Sequence, residues 1–174
     1  MKKLLVLLLL AGSTLVHALP EALRASDSGW RQWGSGEMSW FGVALYRATL
    51  WVAAPPGAAF PADAPSALQL EYRRDIARER LVQSSVGEMR RLGADEAQLQ
   101  RWQAELQRVL PNVQEGETIV GVHYPGRGAA FFYGGVPIGE IADAEFARAF
   151  FAIWLDSRSR SPALRAALLK RPEL

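Results

Sequence analysis

Residues Ala129 to Leu155 read AAFFYGGVPIGEIADAEFARAFFAIWL, and no other stretch restricts the fold as tightly. Gly134 and Gly135 separate two apolar runs. A two-residue hairpin turn needs positive φ, which glycine adopts without steric cost. Pro137 has no N–H for a ladder, so the second strand belongs at a sheet edge or begins near there. Asp143 is placed to cap a helix, with Glu145 in the first turn where the macrodipole favours a carboxylate. Phe146, Ala149, Phe150, Ile153 and Trp154 then recur at helical spacing as one aromatic face. A helix this apolar has to bury itself against a sheet.

The rest of the chain supplies that sheet. Gly29 to Val52 has the aromatic and β-branched content of two strands, joined near Gly34–Gly36 or near Phe41–Gly42. Trp40, Val43, Leu45, Leu50, Trp51 and Val52 are expected in the core, while Tyr46 and Arg47 interrupt the apolar run. Residues 53–65 form a loop, broken by four prolines and a glycine. In Ser66 to Arg74 the residues Leu68, Leu70 and Tyr72 share one face with Arg74, which must reach water at the strand's end or be paired. Asp75 is expected to cap a helix to about Leu92, with Ile76, Val82, Val86, Met89 and Leu92 buried and Gly93 ending it. Asp95 starts a second helix through Leu99, Trp102, Leu106 and Val109, closed by Pro111. The charges on this helical pair read as a solvated face. Thr118 to Tyr124 is a strand, and a last short helix begins at about Pro162. Blocks of strands followed by helices indicate an α+β fold with a mainly antiparallel sheet.

The amino terminus, MKKLLVLLLLAGSTLVHALPEA, has two lysines before an apolar run shorter than the ~20 residues a spanning helix needs. It reads as a cleavable export signal over residues 1–18, with one domain over 19–174 and a periplasmic location. Leu19 to Ser28 is expected to be a loosely held lead-in. Lys2 and Lys3 leave with the signal, so the 20 basic residues of the chain become 18 against 18 acidic ones. A near-neutral protein without like-charge blocks gives no reason to expect nucleic acid as a partner. The chain has no cysteine, and His17 leaves with the signal, so His123 alone remains. That argues against a zinc or copper site, and no metal or cofactor is expected. There is no G-x-S-x-G elbow, phosphate-cradling glycine loop or dinucleotide fingerprint.

Five segments, taken in order, resemble the bacterial chalcone isomerase-like proteins, exported relatives of plant chalcone isomerase and of plastid fatty-acid-binding proteins. They are GSGEMSWFGVALYRATLW (Gly34–Trp51), LQLEYRRDI (Leu68–Ile76), Trp102–Glu117 with its PNVQEGE end, FFYGGVPIGEIAD (Phe131–Asp143) and Phe146–Leu169. The resemblance implies an open-faced β-sandwich, a large antiparallel sheet with helices on one face and a ligand cleft between them. In the plant relatives an arginine soon after a glycine-rich turn serves the isomerase reaction or, with a tyrosine, holds a fatty-acid carboxylate. Here the corresponding place reads Gly34-Ser35-Gly36-Glu37-Met38, without an arginine. Tyr46 matches a tyrosine common in that strand.

Two functions follow from the resemblance. One is a non-catalytic exported protein that binds an apolar, acyl-like small molecule, with Tyr46, Arg47, Tyr72, Arg74, Phe150 and Trp154 as candidate ligand contacts. Pockets of this kind are mostly apolar with a few placed polar groups. The other is an isomerase or intramolecular lyase, with an arginine such as Arg47, Arg73 or Arg74 stabilising the developing oxyanion. A structural accessory protein of the cell envelope is the remaining alternative. No residue is singled out as catalytic, and no protein partner is indicated.

Overall fold

A computed structural model of the chain describes residues 19–25, 29–54, 60–61 and 63–170. The expected signal, residues 1–18, lies outside the described residues. Six strands form one antiparallel sheet in simple chain order: β1 (Trp30–Trp40), β2 (Val43–Ala53), β3 (Ser66–Tyr72), β4 (Thr118–Tyr124), β5 (Gly128–Tyr133) and β6 (Val136–Ile141). A short turn of helix, α1 (Glu21–Arg24), precedes them. The helical pair α2 (Arg78–Arg91) and α3 (Glu96–Val109) is inserted between β3 and β4, and α4 (Ala144–Leu155) and α5 (Pro162–Leu169) follow β6. This is the α+β, open-faced architecture expected from the sequence.

Local signals explain most of these boundaries. Gly134 and Gly135 turn between β5 and β6 with φ of 54° and 84°, as a tight hairpin requires. β6, with Pro137, is an edge strand. Asp95 caps α3 by accepting from the Ala97 and Gln98 N–H groups, and Asp143 caps α4 by accepting from Glu145 and Phe146. The second Asp143 oxygen accepts the Trp102 indole N–H at 2.9 Å, which ties α3 to the start of α4. Asp75 does not cap α2. Its carboxylate accepts from the Glu115 N–H instead, and Asn112 Oδ1 takes the Arg78 N–H at the helix start. Ile76 is correspondingly outside the helix, bridged to Val113.

The sheet has two unequal faces. Leu50, Val52, Leu68, Leu70, Ile119 and Phe131 lie on the face the helices cover, in the main core. Trp51, Ala67, Val120, Val122, Ala130 and Phe132 lie on the other, so Trp51 packs opposite to its neighbours Leu50 and Val52. Among the described residues of the expected lead-in, 19–25 are held more firmly than a loose segment. Leu19 and Leu23 are buried on that second face, and Arg24 Nε donates to the Leu19 carbonyl.

Of the two turn positions offered by the first strands, the chain uses Phe41–Gly42. Gly34 and Gly36 lie inside β1, where α5 crosses the sheet so closely that a Cβ on Gly34 would stand 2.2 Å from the Ala167 carbonyl oxygen. Trp40 and Val43, expected in the core, are 52% and 49% exposed. The reason is register. β3 ends with Tyr72 opposite Tyr46, so the β1–β2 ribbon continues past the sheet with no third strand beside it.

Candidate functional site

The alternation of β2 decides which of its side chains can meet the helices. Ala48, Leu50 and Val52 face them, while Arg47 belongs to the opposite side. One irregularity matters here. Met38 pairs with Tyr46 and Ser39 with Ala44, which leaves Leu45 as an extra residue on β2. Such a bulge breaks the strict alternation, and Leu45 and Tyr46 both line a cleft of about 980 Å³ between the sheet and helices α2, α4 and α5.

The cleft exists because α2 stands away from the sheet. It packs on α3 and α4, with Val82, Val86 and Met89 buried. Toward the cleft it presents Ser84, Ser85 and Gly87, side chains too small to fill the gap. A Cβ at Gly87 would meet nothing within 4 Å. Buried Leu68, Leu70, Ile119, Phe131 and Phe150 form the interior, and Trp154 and Ile153 of α4 complete the wall. Phe146 stacks on Phe150 with ring centroids 5.4 Å apart, but it is core and does not line the cleft.

Two phenols stand in this apolar wall. The Tyr46 and Tyr72 rings meet edge to face at 6.1 Å, and Tyr46 Oη accepts the Trp154 indole N–H at 3.0 Å. Burial pushes the Tyr46 pKa up to about 12, against the opposing effect of the Trp154 hydrogen bond and with a further rise from the Glu88 charge. Burial, then the neighbouring Tyr46, raises Tyr72 as well. Both phenols are therefore neutral near pH 7 and retain a proton to donate. Among the described residues the Tyr72 hydroxyl has no hydrogen-bond partner.

The rim carries the charge. Glu88 is held between Arg91 at 2.8 Å and Arg160 at 2.9 Å. Arg74, just past the end of β3, and Arg80, in the first turn of α2, are exposed on the same rim. Their guanidinium groups have no ion-pair or hydrogen-bond partner among the described residues.

Five of the six residues singled out from the sequence thus meet at one cleft: Tyr46, Tyr72, Arg74, Phe150 and Trp154. Arg47 is the exception. It is exposed on the other face and donates to Ser35 Oγ at 3.2 Å, because the pleat that turns Tyr46 inward turns its neighbour outward. Sequence reasoning misses Arg80 and Glu88, which read with the other charges of the helical pair as a solvated face. A signal was present. Arg80, Ser84, Gly87 and Glu88 recur at helical spacing as a stripe with no large apolar side chain. His123 does not line the cleft; it stacks on Phe151 at 5.2 Å, and burial lowers its pKa. Among the described residues, no three His, Cys, Asp or Glu side chains gather where a metal could bind.

The sequence profile of the family described as chalcone isomerase-like matches residues 15–170. The chain belongs to the chalcone isomerase-like family. The six-stranded sheet with its helices on one face is the fold of a chalcone isomerase-like protein, and a solved structure agrees. The crystal structure of an Arabidopsis thaliana fatty-acid binding protein matches 83% of this chain and 88% of its own length, with a TM-score of 0.62 and 13% identity. At that identity the likeness is one of fold. Among curated proteins, no sequence is significantly similar to this chalcone isomerase-like chain.

Proposed function

We propose that this chalcone isomerase-like protein is a non-catalytic binding protein for an acyl-like amphiphile, exported through removal of residues 1–18. The observation that carries this reading is the cleft itself. Its volume of about 980 Å³ is in the upper range for small-molecule pockets, and its interior is apolar with a few polar groups. An acyl chain would lie along Leu68, Leu70, Ile119, Phe131 and Phe150. Its anionic head would reach the unpaired Arg74 and Arg80, with the Tyr72 hydroxyl as a further donor. The fatty-acid ligand in the name of the Arabidopsis protein supports the same class of molecule.

The chemistry of the cleft favours binding over turnover. Its phenols hold their protons, so neither is a base near neutral pH. Glu88 is neutralised by two arginines, and His123 lies elsewhere. The test is native mass spectrometry of the purified protein, followed by titration with a fluorescent fatty acid. A co-purifying lipid, or saturable one-to-one binding that is weakened by Arg74→Gln with Arg80→Gln, is the expected result. Absence of both co-purified lipid and saturable binding would refute the proposal. Cyclisation of a chalcone above its spontaneous rate would instead favour the isomerase.

A further inference from the structure

The β1–β2 ribbon ends in a feature the fold does not need. Phe41 has φ of 47°, a left-handed conformation that side chains other than glycine, asparagine and aspartate resist. It is also 91% exposed, and it does not line the cleft. Asparagine or glycine would serve the turn better on both counts, since a two-residue turn with positive φ at both positions favours them. Gly42, with φ of 78°, already meets that demand at the second position. The Phe41 ring instead packs edge to face on Trp40 at 5.2 Å, and Val43 beside them is half exposed. The result is an apolar wedge, held beyond the sheet by the overhanging ribbon.

The surroundings of the wedge identify what it fits. Trp40 lines the same cleft as Arg74 and Arg80, so the wedge and two unpaired cations border one opening. Tryptophan settles at the boundary between water and lipid, and arginines near an anionic lipid surface are attracted to its phosphates. We propose that the tip Trp40–Val43 inserts into an anionic lipid bilayer, with Arg74 and Arg80 on the headgroups and the cleft mouth turned toward the membrane. Among the described residues no helix is long and apolar enough to span a membrane, and docking through a short apolar tip with a few basic residues is peripheral and reversible. This inference does not depend on what the cleft holds.

The test is co-sedimentation of the full chain, as purified after export, with vesicles of phosphatidylglycerol and phosphatidylcholine, and with phosphatidylcholine alone. Wild type should sediment with the anionic vesicles and only weakly with the neutral ones. Phe41→Asn should bind them at least ten-fold less while melting at the same temperature or higher, because the turn conformation suits asparagine. It should bind a fluorescent fatty acid in solution as wild type does, which separates failure of this inference from failure of the cleft reading. Arg74→Gln and Arg80→Gln should each weaken vesicle binding roughly five-fold at low salt. Wild type that ignores anionic vesicles, or Phe41→Asn that binds them unchanged, overturns the proposal. A dimer seen by ultracentrifugation that Phe41→Asn dissolves, without vesicle binding, overturns it in favour of contact between two copies.

Discussion

Substituting alanine for glycine at three positions should give three different results, and the crossing of α5 over β1 sets the largest. At Gly34 the new Cβ would sit 2.2 Å from the Ala167 carbonyl oxygen and 2.5 Å from that of Leu168. Both are backbone atoms, so no rotamer change relieves the clash. The helix must retreat by roughly 1 Å to restore ordinary contact. Overpacking of this kind costs about 1–3 kcal/mol when the neighbour can shift. If α5 leaves altogether, Leu164 and Leu168, both now buried, lose their cover. That raises the loss to about 3–6 kcal/mol, at ~1.5–3 kcal/mol for each side chain. At ~2–4 °C per kcal/mol for a domain of this size, Gly34→Ala should melt roughly 2–12 °C lower if α5 shifts and further still if it detaches. At Gly36 the close contacts of a Cβ are side-chain atoms, of Ala167 at 2.9 Å and Leu164 at 3.0 Å, with the Leu164 Cα at an ordinary 3.9 Å, and a smaller loss near ~1 kcal/mol is expected. At Gly87 nothing lies within 4 Å, so alanine should stabilise α2 by ~0.5–1 kcal/mol through helix propensity alone. Urea denaturation of the three variants decides the matter. A Gly34→Ala midpoint equal to wild type, or no lower than that of Gly36→Ala, would refute the reasoning.

Other outcomes are equally specific. Tyr46→Phe removes the acceptor of the buried Trp154 indole N–H and should lower stability by ~1–3 kcal/mol in the same assay. Asp143→Ala should lose about 1 kcal/mol as a helix cap, with further loss from the freed Trp102 indole. Burial alone would raise the Asp143 pKa, but the hydrogen bonds from Phe146, Trp102 and Glu145 outweigh it and hold it below the ordinary value. The wild-type advantage over this variant should therefore be full above about pH 4 and shrink as pH falls through the folded value. His123 gives a slope at higher pH. Burial lowers its folded pKa, so the unfolded chain binds the proton first, and stability should fall as pH drops from about 6.5 to the folded value. Equilibrium unfolding of His123→Leu across that range should lack the slope. Amino-terminal sequencing of the exported protein should begin at Leu19, and a terminus at Met1 would disprove removal of the leader.

What could be read from the sequence was what short-range physics decides. The Gly134–Gly135 turn, the Asp95 and Asp143 caps and the buried residues of α3 each depend on neighbours within a few positions. Their signals are correspondingly plain. The sequence misleads where the outcome depends on distant parts of the chain. Trp40 and Val43 have core residues' chemistry, and only the shortness of β3 leaves them outside. Gly34 and Gly36 look like turn glycines until α5, from the far end of the chain, is laid across them. Asp75 is an acceptable cap by position, but the 112–115 segment competes for both the helix start and the carboxylate. The site was legible to the same extent. Tyr46, Tyr72 and Arg74 share an inward side by alternation, whereas the bulge at Leu45 and the stand-off of α2 leave no mark in local pattern. Arg80 is hidden in the sequence for that reason.

The crossing of α5 over β1 also orders events in time. The groove above Gly34 and Gly36 belongs to the first strand, and among the described residues the helix packed on it is the last. A nascent chain can form its early hairpins, since each strand pairs with its neighbour in sequence, and such local contacts form quickly. It cannot seal its core until its final residues have been made. The last contact to close is therefore the one between β1 and α5. Until then Trp33, Leu50 and Val52 lack part of the main core's cover, and the chain stays only loosely folded.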